Sequence, residues 1–187
     1  MDALLKKEYL FDNPYKMSRK FLQSKGAKEV NAYGETPLSV LAEVAKECFL
    51  GPDDHILDLG CGRGRGVLFL SCLLGCRVRG IEWNPAFVEK ANKVKEKQNL
   101  SRASFLLGEM GEVDLSGYTA IYLYGTCLED EEILRLIALF KHLKKGVKIV
   151  TISYPLSDYD PASFKVSKSF PVAFPWGNTD IFINSSL

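Results

Sequence analysis

The stretch His55-Ile-Leu-Asp-Leu-Gly-Cys-Gly-Arg-Gly64 constrains this chain more than any other. A short apolar run ends in glycine at every second position, 60, 62 and 64, and the apolar segment Val67 to Leu74 follows almost at once. The run reads as a buried strand. The segment after it, apolar nearly all round, reads as a buried helix. Glycines at such a junction take turns that a β-carbon forbids and let the backbone approach a ligand closely. The helix start points free N–H groups and partial positive charge at the loop, which suits a carboxylate or another anion. The Gly-x-Gly-x-x-Gly spacing of a dinucleotide fold is missing, which ranks a nicotinamide or flavin cofactor second.

The same alternation continues along the chain. Arg77 to Glu82 is a second strand, and its last residue is an acid 24 positions beyond Asp58. A carboxylate there can accept two hydrogen bonds from a ribose diol. Asn84-Pro85, a helix cap followed by proline, opens a helix to about Gln98. Ala103–Leu107, Thr119–Tyr124 and Val147–Ser153 read as strands, and Ile133, Leu136, Ile137, Phe140 and Leu143 mark a helix ending at Gly146. Phe164–Phe170 and Thr179–Asn184 read as a closing pair of strands. Upstream, Thr36 caps a helix with Pro37 in its first position, and Gly51-Pro52 stops it. Strands alternating with helices predict an α/β fold: a Rossmann-like, doubly wound, mostly parallel seven-stranded sheet with a C-terminal antiparallel strand and helices on both faces. Ligands in such sheets bind beyond the carboxyl ends of the strands, where the strand order reverses.

A length of 187 residues favours one domain, divided into an N-terminal extension or lid (1–35) and a catalytic core (36–187). The extension reads as a solvated lid with a few apolar anchors. Its seven Lys and Arg outnumber the four Asp and Glu that precede the Tyr33-Gly-Glu35 loop. The whole chain balances 24 basic against 23 acidic residues, so it is no strongly basic nucleic-acid binder. Five cysteines with no Cys-x-x-Cys pair predict neither a disulfide framework nor a metal site. With no signal peptide at the start and no apolar run near the ~20 residues of a membrane span, the expected location is cytoplasmic.

The Asp58-Leu-Gly-Cys-Gly-Arg-Gly64 loop, the Gly80-Ile-Glu82 strand end, Asn84-Pro85 and the later acid Glu109 together resemble the class I S-adenosylmethionine-dependent methyltransferases. The resemblance implies S-adenosylmethionine as cofactor. It implies that Gly60, Gly62 and Gly64 line its methionine part and that Asp58 orients the loop or the methionine amino group. Glu82 would hold the ribose, and Glu109 with Met110 would flank the adenine. Cys61, Trp83 and Asn84 fall within the same cofactor-binding set, Cys61 through its place in the loop, since its thiol is assigned to packing. Tyr33-Gly-Glu35-Thr36 also resembles a loop of the non-SET histone-lysine methyltransferases, which implies that Tyr33, Glu35 and Thr36 fold over the cofactor. The glycine loop, Glu82-x-Asn84-Pro85 and Tyr154-Pro155-Leu156 look like the lysine methyltransferases of ATP-synthase subunit c.

Both narrower resemblances imply a protein lysine as methyl acceptor, with a small molecule as the alternative. After the fourth strand the chain reads Tyr122-Leu-Tyr124-Gly-Thr126-Cys127, without the Asn-Pro-Pro-Tyr box of many amide and adenine N-methyltransferases. Tyr124 and Thr126 are therefore the catalytic candidates, supplying an aromatic wall and hydroxyls beside a cation. Tyr122 is assigned to sheet packing. Two other readings stand beside the enzyme: a non-catalytic module that binds the donor, and a nucleic-acid methyltransferase that uses the basic N-terminus.

Overall fold

A computed structural model describes residues 2–187, with the side chain of Asp2 left aside. Two helices, α1 (Asp2–Glu8) and α2 (Pro14–Ser24), precede α3 (Leu38–Glu47). Then follow β1 (His55–Leu59), α4 (Arg65–Leu74), β2 (Arg77–Glu82), α5 (Pro85–Lys97), β3 (Ala103–Leu107), β4 (Ala120–Leu123), α6 (Asp130–Phe140), β5 (Lys148–Ile152), β6 (Phe164–Phe174) and β7 (Gly177–Ser186). The seven strands form one sheet in the order β3-β2-β1-β4-β5-β7-β6. The first five are parallel, and β7 runs antiparallel to both β5 and β6. This is the doubly wound arrangement expected, with the order reversing between β1 and β4.

Period-two alternation sends neighbouring residues of the central strands into two separate cores. Ile56, Val78, Tyr122 and Val150 pack on one face with α3, α4 and α5. Leu57, Ile81, Ile121 and Ile149 pack on the other with α6. Both faces are covered, so β4 is buried at every position. At the edge, β6 carries Lys165, Lys168 and Pro171 and a register shift between Val166 and Lys168, which discourages further strand pairing.

Several local readings change. Thr36 does not cap α3: Pro37 stands at the cap and no side chain serves it, because the Thr36 hydroxyl bonds instead to the Tyr122 hydroxyl at 2.6 Å. The helix α4 is not buried all round, since Leu73 is 51% exposed and Cys72 faces outward. The helix α6 stops at Phe140 rather than Gly146, and turns fill the interval. Asn84 does cap α5, its side chain accepting from the Ala86 N–H at 3.1 Å.

The N-terminal extension is docked rather than loosely solvated. Leu5 and Tyr9 are buried, Lys97 pairs with Glu8 at 2.8 Å and Lys90 with Asp12 at 2.8 Å. Asn13 caps α2, with Pro14 in its first turn. That is the same signal as Asn84-Pro85, standing unused in the sequence reading.

Gly64 caps α4 in the left-handed region (φ 78°), and a β-carbon there would collide with the Phe105 ring and approach Ala91 at 3.0 Å. Gly64→Ala should therefore destabilise the chain by roughly 1–3 kcal/mol for overpacking and about 1–2 kcal/mol for the backbone. The denaturant midpoint at constant slope measures it.

Candidate functional site

The glycine loop leaves β1 at the point where the sheet order reverses. Gly60 and Gly62 take positive φ (75° and 55°), and Gly60 N–H and Cys61 N–H both donate to the Ile81 carbonyl, at 3.0 and 2.9 Å. The Cys61 side chain lies against Gly80, where a β-carbon would collide with its sulfur. Only a residue without a side chain fits at position 80. Burial pushes the Cys61 thiol well up, so it stays protonated.

Two carboxylates lie at the strand ends. Glu82 accepts from the Gly62 N–H at 2.9 Å and from the Asn84 N–H at 2.7 Å. Its burial outweighs these bonds and raises its pKa. Asp58, 7% exposed, stands opposite Gly80 on one side and Tyr122 on the other. Burial, and then the Glu82 charge, push Asp58 up to about 7. A buried acid so destabilised suits a ligand that brings an ammonium, and Glu82 suits a hydroxyl pair.

A third carboxylate is committed elsewhere. Glu35 receives the Arg63 guanidinium through both oxygens, Nε at 2.5 Å and Nη2 at 2.9 Å, and the Tyr33 hydroxyl at 2.7 Å. Arg63 also lies 5.5 Å from the Tyr9 ring centroid, and Arg65 donates to the Thr36 carbonyl at 3.1 Å. The 33–36 loop, the glycine loop and the turn after α1 are thereby tied together. Tyr33 lies across Gly62, whose β-carbon would stand 3.0 Å from its ring, and it packs on Phe87 and Tyr15.

A cleft of about 630 Å³ opens over these groups. Gly60, Gly62, Glu82, Trp83, Asn84 and Met110 line its floor and one side, and Phe21 and Leu22 of α2 line the other. Trp83 meets Phe21 edge to face at 5.1 Å, with Lys25 over both rings. Asp58, Glu35 and Thr36 line a narrow recess beside it. Gly64 serves as the α4 cap, and Glu109 is exposed just outside the cleft lining.

A second cleft of about 530 Å³ adjoins the first, and Tyr33, Gly34, Tyr124, Cys127 and Leu128 line both. Thr126 lies in the second only. Its walls include Tyr154, Tyr159 and Trp176 and carry no charged side chain. Trp176, on the turn joining β6 and β7, donates its indole N–H to the Tyr124 hydroxyl at 2.9 Å. Phe174 stacks between the two rings. Buried Asn184 donates to the Ile149 carbonyl and the Thr151 hydroxyl and accepts from the Leu156 N–H, which fixes the turn that carries Tyr154. Ser153 before it has a left-handed backbone (φ 71°). The sequence assigns acceptor recognition to residues 1–35, the 155–164 loop and the Phe174-Pro-Trp176-Gly turn, but it does not join Tyr154, Tyr159 and Trp176 in one cleft, since they meet only through the pairing of β7 with β5. Among the described residues no group of three or more His, Cys, Asp or Glu is arranged to hold a metal, and no helix is long and apolar enough to cross a membrane.

Residues 56–146 match a family of methyltransferase domains. A protein-lysine N-methyltransferase of Saccharolobus islandicus is 28% identical over 131 residues, 69% of this chain and 80% of that protein. A histone-lysine N-methyltransferase of Dictyostelium discoideum, H3 lysine-79 specific, is 25% identical over 161 residues, 78% of this chain but 8% of that much longer protein. An RNA methyltransferase of Salinibacter ruber, solved with S-adenosylhomocysteine, superimposes with a TM-score of 0.65 at 26% identity, covering 82% of this chain and 93% of that one. With the sheet order and the glycine loop, these matches support a class I S-adenosylmethionine-dependent methyltransferase. Its cofactor is S-adenosylmethionine.

Asp58→Asn separates binding from stability. The ionised Asp58 costs stability that is greatest above pH 7 and fades as the pH falls from 7 towards the unfolded value near 4. The Asn variant should melt a few degrees higher than the parent at pH 8, with the gap closing by pH 5, in paired thermal scans. Its affinity for the donor should fall at least tenfold by calorimetry. In the parent, donor affinity should weaken as the pH drops below 7, because a protonated Asp58 cannot pair with an ammonium.

Proposed function

We propose that the chain methylates an amine, with protein lysine as the acceptor class. The observation that carries this is the charge of the two joined clefts. Uncharged aromatic walls line the second, and Glu129, Asp130, Glu131 and Glu132 line the rim of the first. Arg135 on that rim is paired to Glu131 at 2.6 Å. Aromatic faces attract an alkylammonium and lie well against its methylene chain. A polyanion entering there would meet carboxylates instead. The lysine methyltransferases among the relatives support the same acceptor.

In this reading Asp58 faces the amino group of the methionine part and Glu82 the ribose hydroxyls. Gly60 and Gly62 admit the chain closely, and Trp83 and Met110 flank the adenine. Glu35 acts through Arg63, holding Tyr33 over the loop. Bound S-adenosylmethionine supplies a methyl group already activated on a sulfonium, so the protein's task is alignment. The acceptor nitrogen must be neutral to attack, and an apolar, aromatic cleft lowers an amine's pKa. Tyr124, common to both clefts, is the residue placed to align the two reactants, and Thr126 lies beside it on the acceptor side.

The RNA methyltransferase among the structural neighbours favours a second reading, nucleic acid. Incubating the enzyme with methyl-labelled donor and a cell lysate separates the two. Label should enter protein, survive nuclease and appear in methyl-lysine after acid hydrolysis. Label confined to nuclease-sensitive material would overturn the lysine reading. Tyr124→Ala should lower kcat/KM for the labelled protein fraction by 10²-fold or more, about 2.7 kcal/mol, while leaving the protein folded by circular dichroism.

A further inference from the structure

We propose that Trp176 determines acceptor specificity, its indole face receiving the alkylammonium of the incoming side chain. This rests on the lysine reading and adds the residue that reads the lysine.

The β6–β7 turn carries Trp176 to the mouth of the second cleft with 54% of its surface exposed. An exposed tryptophan at a turn is ordinarily mobile, but this one is held twice. Its N–H is committed to the Tyr124 hydroxyl at 2.9 Å. One face rests on Phe174, centroids 5.2 Å apart at an interplanar angle of 27°. The polar edge and one face are therefore used within the protein, and the remaining face is presented to whatever enters the cleft. Phe174 itself stacks on Tyr124 at 5.5 Å and 3°, so the ring series runs from the cleft mouth to the residue that borders the donor cleft. Because no carboxylate lines this cleft, the ring faces are what it offers a cation. Indole is the strongest of the aromatic partners for one. A neutral alkyl or a phosphorylated group would gain less or be repelled.

Trp83 and Trp176 are the chain's two tryptophans, which allows a direct test. In the full chain carrying Trp83→Phe, Trp176 is the sole indole reporter. Titrating hexalysine, in the presence of S-adenosylhomocysteine, should change its fluorescence saturably, and fully Nε-acetylated hexalysine should not. No response to hexalysine, or an equal response to both peptides, overturns the proposal. Trp176→Ala should then raise the KM for lysate protein about 3- to 30-fold, the span of a partly to fully desolvated cation–π contact, with donor Kd unchanged. Trp176→Phe, which keeps a ring and loses the N–H, should recover most of that loss. A donor Kd that rises with KM, or a Phe variant as impaired as the Ala variant, would make Trp176 a brace for Tyr124 and sink the specificity role. If the parent enzyme places no label on lysine, the lysine reading fails. If it does and Trp176→Ala leaves KM unchanged, only the role of Trp176 fails.

Discussion

The bond pair that the site depends on is the Glu82 carboxylate bridging the Gly62 and Asn84 backbone N–H groups. One side chain at the end of β2 thereby sets two turns, the glycine loop after β1 and the entry to α5. Charge-assisted bonds to backbone N–H groups are stronger than neutral ones, and here they counter part of the burial that raises the Glu82 pKa. The rest of the loop conforms around them. Gly60 and Cys61 hang on the Ile81 carbonyl beside it, and Gly80 leaves the space that the Cys61 side chain fills.

The central architecture was legible because its signals are local. An apolar strand, alternate glycines and an acid closing the next strand lie within 28 positions, 55 to 82, and each has one good structural solution. Asn84 caps α5 as its neighbour Pro85 announces. The same reasoning overlooked α2, although Asn13-Pro14 carries the identical cue and the segment after it is strongly amphipathic at the helical period. Thr36 shows the opposite failure. Its cap signal is real, but a hydroxyl 86 positions away on β4 competes for it and wins.

What the sequence could not yield is pairing at long range. Glu35 and Arg63 are 28 positions apart and meet only once α3 has packed beside α4. The union makes Glu35 a tie between two loops rather than a free acid over the cofactor. The second cleft is more distant still. Trp176 reaches Tyr124 across 52 positions because β7 inserts antiparallel between β5 and β6. Nothing in the periodicity of either strand states that order. Tyr124 after β4 and the Phe174-Pro-Trp176-Gly turn each read singly as part of a site, and only the topology joins them into one cleft.

Asp58 connects the energetics to this arrangement. A carboxylate buried at the reversal point of a sheet, its pKa raised to about 7 by burial and Glu82, opposes folding whenever it is ionised. The fold tolerates it because the loss is local and the two cores on either face are large. A ligand that supplies positive charge there recovers the loss as binding free energy, and its binding stabilises the folded chain in proportion. In the proposed reading, the same group that weakens the protein alone would select for a cationic donor, while the aromatic cleft beyond Tyr124, with no carboxylate in its walls, would take the acceptor amine. Keeping the charged partner on one side of Tyr124 and the π faces on the other would, for an amine acceptor, distinguish two positively charged reactants that must meet in one crevice. A carboxylate in the acceptor cleft would hold an amine protonated and unreactive, whereas ring faces bind its chain and still permit the neutral form.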